Sequence, residues 1–274
     1  MCLHSDKVRS AVWGAVIGDI AGSRFEHANH RSKDFELFGK ESRFTDDTAA
    51  TLAVAKALAE AGGGSDDELR RAVVRDLCAV GRRFPYVGWG GMFRKWFSSD
   101  DPQPYGSFGN GAAMRVSPVG EYVGSEEEVK RLSHIITGVS HSHPEGLKGA
   151  ECVALCVYLA RTGVDKEEIF RRVRKEYYPE VADISCAALS ENYFFDVTCQ
   201  GSVPQAIRCF YEGTDYEDTI RNAVSIGGDS DTIAAVAGGI AGAYFGVPRR
   251  LIDVAEAYLP DELRAAAERF GNEV

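Results

Sequence analysis

A basic surplus is missing from this chain of 274 residues: 31 Lys and Arg stand against 41 Asp and Glu, a net charge of −10. A dedicated nucleic-acid binder needs a cationic face to displace phosphate counterions, so that class is set aside. CxxC spacing is missing too, and the seven cysteines, at 2, 78, 152, 156, 186, 199 and 209, are odd in number. A disulfide framework is therefore not expected. Cys152 and Cys156, four apart, read as small apolar side chains on one helical face. The setting this predicts is reducing and cytoplasmic. No apolar run has bilayer length: the longest uncharged stretch, Thr232 to Pro248, is Gly/Ala-rich and slightly too short to span. Lys7 and Arg9 ahead of Ala11 to Gly18 imitate a secretory signal, but Asp19 interrupts the apolar run too early.

Alternating strand patterns are scarce, and there is no linker, low-complexity stretch or fixed-period repeat. With 45% hydrophobic and 26% charged residues, the chain has enough apolar material to exclude a disordered class. Helix signals fill the space. Capping-box patterns occur at Ser65/Glu68, Ser125/Glu128, Ser202/Gln205 and Thr214/Glu217, with Asp165/Glu168 as a similar start. Stops are expected at Gly62 to Gly64, at Gly163 and at Gly213. Val203, Ala206, Ile207, Phe210 and Tyr211 repeat as one amphipathic face. The pattern predicts an all-α chain forming one domain over residues 1–274. Its longest loops, 27–44, 98–111 and 140–144, are expected to gather at a site.

Nucleophile and nucleotide signatures are absent: no GxSxG elbow, Walker loop, HExxH, or GxGxxG after a strand. What remains is a set of oxygen-rich helix starts. Thr45-Asp46-Asp47-Thr48 precedes the predicted helix Ala49 to Ala61, where a capping Thr and first-turn acids would suffice as an explanation. Gly227-Gly228-Asp229-Ser230-Asp231-Thr232 repeats the chemistry before a second helix, Ile233 to Phe245. Capping needs only one such residue each time. Four carboxylates drawn together repel one another unless cations neutralise them, and hard oxygen donors suit Mg²⁺. A third helix is expected over Val8 to Glu26, where Gly14, Gly18 and Gly22 recur every four residues and predict close packing on a neighbour. Asp19, inside that helix, is expected to accept hydrogen bonds from nearby structure, because a buried unpaired carboxylate is costly. Glu26, at the exit, is the better catalytic candidate.

Two Gly-rich segments, Gly88-Trp89-Gly90-Gly91 and Gly106 to Arg115, read as plain turns or as loops that bring N–H groups to phosphate oxygens. Phe108 and Tyr105 could stack on a base or simply pack. Ser140-His141-Ser142-His143-Pro144 holds an HxH without a third nitrogen or sulfur ligand. A histidine that lines a site or caps a helix fits it better than a transition-metal ligand. Pro144 suits a first helical position.

Taken together, GAVIGDIAGSRFE (Gly14 to Glu26), FTDDT (Phe44 to Thr48), GSFGNGAAMR (Gly106 to Arg115), SHSHPEGLKGA (Ser140 to Ala150) and GGDSDTIAAVAGG (Gly227 to Gly239) resemble the ADP-ribosylglycohydrolases, in the same order. The resemblance implies an all-α orthogonal helical bundle with two Mg²⁺ ions, or Mn²⁺, at the mouth of a cleft. It assigns metal ligation to Thr45, Asp46, Asp47, Asp229, Asp231 and Thr232, and catalysis to Glu26, Asp229 and Asp231. Substrate binding falls on Gly88, Gly90, Gly106, Ser107, Phe108, Gly109, Asn110, Gly111 and His141. Ser230 stands where the family commonly has Thr, at a position that is not a ligand. The implied reaction is hydrolysis of the glycosidic bond between ADP-ribose and an acceptor, a protein arginine or serine side chain. The implied partners are an ADP-ribosylated protein or another ADP-ribose conjugate, with nucleic acid admitted only as an ADP-ribosylated substrate. Rival readings are hydrolysis of another ADP-ribose conjugate, a non-catalytic ADP-ribose binder, and a phosphohydrolase that would release AMP.

Overall fold

The structure, a computed structural model, describes residues 6–273; Cys2 lies outside them. Fourteen α-helices account for most of it: α1 (Ala11–Gly22), α2 (Asp46–Ala61), α3 (Asp66–Arg83), α4 (Gly91–Ser98), α5 (Ser117–Tyr122), α6 (Glu126–Gly138) and α7 (Pro144–Arg161). They continue as α8 (Lys166–Glu176), α9 (Cys186–Asn192), α10 (Cys199–Glu212), α11 (Tyr216–Ser225), α12 (Ser230–Phe245), α13 (Arg249–Ala255) and α14 (Asp261–Glu273). The sheet content described is one antiparallel pair, β1 (Lys7–Val8) with β2 (Val247–Pro248). The all-α expectation holds.

Local chemistry explains most helix starts. Ser65 caps α3 with the full reciprocal box: its side chain accepts from Glu68 N, and Glu68 accepts from Ser65 N at 2.8 Å. Ser125 and Asp165 cap α6 and α8 as expected, although Glu128 reaches back to Gly124 N rather than to Ser125. Two expected starts are corrected. Ser202 lies inside α10, whose cap is Thr198; the proline at 204, normally a first-turn residue, here sits in the helix interior. Thr214 precedes the true cap of α11, Asp215, which accepts from Asp218 N at 2.8 Å. The amphipathic face of α10 is buried at Val203, Ala206, Ile207 and Phe210, while Tyr211 at its end is only half-buried.

The first helix is shorter than Val8 to Glu26. Val8 is taken by the strand pair, and Ser10 caps α1 by accepting from Trp13 N at 3.2 Å. At the other end Ser23 Oγ donates to Ile20 O, and the helix stops at Gly22. Glu26 therefore sits in the following loop. Residues 230–243 of α12 are all buried, and α1, α2, α5, α7, α10 and α11 pack around that helix. The packing against α1 is the tightest. A Cβ on Gly14, Gly18 or Gly22 would stand 2.2, 2.1 or 2.4 Å from the carbonyl oxygens of Gly238, Ala234 or Ser230. Only glycine allows the two backbones this approach, as the spacing predicted. Cys152 and Cys156 are buried in α7, and no helix of the described residues is long and apolar enough to cross a membrane.

Candidate active site

Helix α1 joins the two acid clusters. Asp19 is fully buried, and its carboxylate accepts from Thr45 N (2.8 Å), Thr45 Oγ1 (2.7 Å), Thr48 N (3.1 Å) and Thr48 Oγ1. These groups belong to the start of α2, so Asp19 satisfies orphan helix N–H donors and complements the positive end of the dipole. Burial raises the Asp19 pKa while the four hydrogen bonds pull it down. One face of α1 thus grips the start of α2, and its glycine face fixes the start of α12. Asp46 and Asp47 are brought opposite Asp229, Asp231 and Thr232.

Thr232 Oγ1 donates to Asp47 Oδ2 at 3.1 Å, which closes the gap between the clusters directly. Asn110 Nδ2 donates to Asp229 Oδ2 at 2.6 Å and to Ser202 Oγ at 3.0 Å, which fixes the Asp229 carboxylate from a third side. Carboxylate oxygens of Glu26, Asp229 and Asp231 all lie within 4.8 Å of one another. Asp47 Oδ1 is buried without a hydrogen-bond partner. Burial, then the Asp19 charge, pushes Asp46 up to about 8. Burial and neighbouring carboxylates also hold Asp47 and Asp231 well above the usual range. Glu26 is raised first by burial and then by Asp229. An all-oxygen donor set with an orphaned buried carboxylate oxygen has the chemistry of a hard-cation site.

The Glu26 loop is fastened to the entry of α12. The carboxamide of Asn29 pairs with Gly228 twice, accepting from its N–H at 3.0 Å and donating to its carbonyl at 3.1 Å. Arg31 donates to the carbonyls of Ser190, Tyr193 and Ile226 at 2.6, 2.7 and 2.8 Å. Gly227 and Gly228 both have φ near +75°, the left-handed region that spares glycine the strain of a side chain.

A cleft of about 320 Å³ opens over the acids, within the size range of small-molecule sites. Its walls are the 88–93 segment at the start of α4, the 105–111 loop, His141, Arg115 and Val197. Gly88, at φ +122°, lets its loop press on the acids: a Cβ there would lie 2.4 Å from Asp46 Oδ1. The 105–111 loop is pinned by Asn110 N to Val197 O (2.7 Å), Cys199 N to Phe108 O (2.9 Å) and Gly106 N to Ser142 Oγ (3.2 Å).

Comparison with known proteins gives this geometry a family. The ADP-ribosylglycohydrolase family model matches residues 3–274. The chain belongs to the ADP-ribosylglycohydrolase family. It is similar to the human ADP-ribosylhydrolase ARH3, at 25% identity over 88% of this chain and 86% of the relative. It is also similar to the ADP-ribosylarginine hydrolase Tri1 of Pseudomonas putida, at 24% identity over 88% and 71%. A solved structure described as an ADP-ribosylglycohydrolase-related protein complex shares the fold, with a TM-score of 0.66, 23% identity and 96% coverage of both chains.

Within this glycohydrolase cleft the structure gathers Glu26, Asp46, Asp47, Gly88, Gly90, Ser107, Gly109, Asn110, Gly111, His141, Asp229, Asp231 and Thr232 as lining residues. Three expected residues are placed differently. Thr45 is buried beneath the floor, with its hydroxyl donated to Asp19 and accepting from Asp47 N at 3.3 Å. Gly106 does not line the cleft, and Phe108 is 42% exposed at the rim, with its ring centroid 5.1 Å from that of His143. His143 is the helix-capping histidine, accepting from Glu145 N at 3.1 Å, and Pro144 follows it as the first residue of α7. The chain reading missed Asn29 and Arg31, whose partners lie far away in sequence. It also missed Arg115 as a lining residue; its signal was a lone charge ending the uncharged run Gly111 to Met114.

Proposed function

We propose that this glycohydrolase hydrolyses the bond between C1″ of ADP-ribose and an acceptor, releasing free ADP-ribose, with two Mg²⁺ (or Mn²⁺) ions in the acid cluster. The observation that carries the reading is the convergence of Glu26, Asp229 and Asp231 with Asp46 and Asp47 at the floor of one cleft. Asp46, Asp47, Asp229, Asp231 and Thr232 would hold the ions, with Thr45 bracing the set from below through Asp19. When bound, such ions supply Lewis-acid stabilisation of oxygens that gain negative charge. The chain's own residues do the rest. Glu26, at the lip, has a raised pKa and carries a proton to or from the reacting atoms. Neighbouring carboxylates stabilise the positive charge that grows at C1″. Asn110 keeps Asp229 oriented. The start of α4 at Gly90 and Gly91 and the buried Arg115 give the cleft positive potential for a diphosphate.

The name of the ADP-ribosylarginine hydrolase Tri1 supports an arginine-linked conjugate as the substrate, with a serine-linked one proposed beside it. A cytoplasmic site accords with cysteines used as buried core residues. The experiment is a panel of arginine-, serine- and nucleic-acid-linked conjugates, each assayed with Mg²⁺ and with EDTA. Release of ADP-ribose from none of them would overturn the reading.

Phe108 is proposed as the stacking surface for adenine. Stacking on an aromatic side chain is worth about 1–3 kcal/mol. Phe108→Ala is therefore expected to weaken ADP-ribose binding about tenfold by calorimetry, with the melting temperature unchanged because the ring is exposed at the rim. Undiminished affinity would remove Phe108 from the site.

The acid cluster also sets a pH dependence. Asp46 rises from an ordinary value near 3.8 to about 8, and Asp47 and Asp231 move the same way. The folded state thus binds protons more tightly than the unfolded chain. That stability is fully present below about pH 4 and is lost as pH rises toward 8. In EDTA, the melting temperature is expected to fall by about 5 °C or more from pH 5.5 to 8.5. Added Mg²⁺ should raise it more at pH 8.5 than at pH 5.5, because protons compete for the same oxygens. A metal-free melting temperature that climbs across this window would contradict the placement of these acids.

A further inference from the structure

Arg115 is only 1% exposed, and among the described residues no carboxylate pairs with its guanidinium. Its Nη2 donates to Ser140 Oγ at 2.8 Å and points toward Thr137 O at 3.5 Å, and its Nε has no partner. The carbonyl belongs to the last turn of α6, whose negative end favours a cation. The guanidinium carbon also lies 5.5 Å from the centroid of the Phe93 ring. These contacts explain how the charge is tolerated without saying what it does.

Its hydrogen bond to a side chain, Ser140, leads to the cleft. Ser140 Oγ, fully buried, stands 2.8 Å from His141 Nδ1. A guanidinium can only donate, so Ser140 Oγ must accept from Arg115. The single hydroxyl hydrogen is then free to be donated to Nδ1, and the Tyr105 hydroxyl, which also bonds Ser140, can fill the remaining Ser140 lone pair as a donor. A ring nitrogen that accepts at Nδ1 carries its hydrogen on Nε2. Nε2 faces the 109–111 turn: a Cβ on Gly111 would be 3.1 Å from it, and one on Gly109 3.8 Å. Burial and the Arg115 charge hold His141 well below the usual histidine range, which keeps the ring neutral. Tyr105, its ring centroid 5.5 Å from that of His141, is pushed up to about 12 by burial and stays a neutral phenol beside the pair.

We propose that Arg115 and Ser140 are positioning residues that lock His141 as its Nε2–H tautomer, so that the cleft presents a fixed, uncharged donor beside the 109–111 turn. The ligand group it suits is an oxygen acceptor of ADP-ribose, a phosphate or hydroxyl oxygen. That last clause rests on the function proposed above; the tautomer does not. A neutral donor held before the ligand arrives costs little reorganisation on binding.

The test reads the tautomer directly. Long-range ¹H–¹⁵N correlation spectra of the ligand-free full chain, with His141 assigned by His141→Gln, are expected to show one neutral species protonated at Nε2. Ser140→Ala removes the donor to Nδ1, so both tautomers should appear, and ADP-ribose binding should weaken about fivefold to tenfold. Ser140→Thr keeps the hydroxyl and should restore the single tautomer and the affinity. A purely structural role for Ser140 would move the melting temperature but not the tautomer. A wild-type ring protonated at Nδ1, a doubly protonated ring at pH 7, or a Ser140→Ala spectrum still showing only Nε2–H would each overturn the proposal. Failure of the wild type to bind ADP-ribose would overturn the function above while leaving the tautomer result standing.

Discussion

Asp231→Asn is expected to lower kcat/KM for ADP-ribose release at least about 100-fold, while raising the melting temperature of the metal-free protein. The activity loss follows from the donor chemistry. Changing groups that merely support a metal ligand costs 10- to 100-fold, so converting a proposed ligand carboxylate to a carboxamide should cost about as much or more. The stability gain has the opposite sign for a physical reason. Asp231 is buried among Asp229, Asp47 and Glu26, and all of these disfavour its charged form. Asn is nearly isosteric and removes that repulsion at neutral pH. Activity and metal-free stability moving in opposite directions is what a site under electrostatic strain produces; a structural acid would lose both together. Steady-state kinetics and EDTA-treated melting curves measure the two quantities. Retained activity would remove Asp231 from the metal set.

Gly18→Val is expected to disrupt the molecule rather than only its chemistry. Even the first added carbon would sit 2.1 Å from Ala234 O and 2.9 Å from Ala235 N, both backbone atoms in the buried stretch of α12. Backbone cannot swing aside as a side-chain tip can, so α1 and α12 must separate. Overpacking in cores typically costs 1–3 kcal/mol, and a backbone collision belongs at or above the upper end, about 3 kcal/mol. A loss of that size lowers the melting temperature by about 6–12 °C in a chain of this size. Because α1 also holds Asp19 against the start of α2, activity should be lost with it. Gly63→Ala is the control: nothing lies within 4 Å of a Cβ at that position, and its melting temperature should be unchanged. An unaltered Gly18→Val melting curve would show that the close seam is not what sets the two acid clusters opposite each other.

What the sequence revealed and what it hid differ in range. Gly14, Gly18 and Gly22 were legible because a four-residue repeat of glycine has one simple consequence, a close helix contact, even though the partner helix was not. The acid pairs were legible because two helix starts carried more oxygen donors than capping needs. Asp19 was read correctly as an acceptor, although its partners, Thr45 and Thr48, belong to a different helix. The extents of α1 and α10 were misjudged because tertiary context decided them. Val8 left its helix for a strand partner more than 200 residues away, and α10 continued back through Pro204 to a cap at Thr198. Asn29 and Arg31 carry no motif. Their role comes from backbone groups at 190, 193, 226 and 228, which only the fold delivers. Arg115 was hidden for a related reason: its burial follows from the end of α6 and the ring of Phe93.

The central claim is that carboxylates from α2, α12 and the Glu26 loop form one metal-assisted site for cleaving ADP-ribose from an acceptor. The most direct measurement follows the products from a purified ADP-ribosylated peptide by mass spectrometry, in Mg²⁺, in EDTA, and in EDTA followed by excess Mg²⁺. The account predicts intact ADP-ribose and an unmodified peptide in Mg²⁺, none in EDTA, and recovery on adding Mg²⁺ back. Full turnover in EDTA, or AMP in place of ADP-ribose, would contradict it.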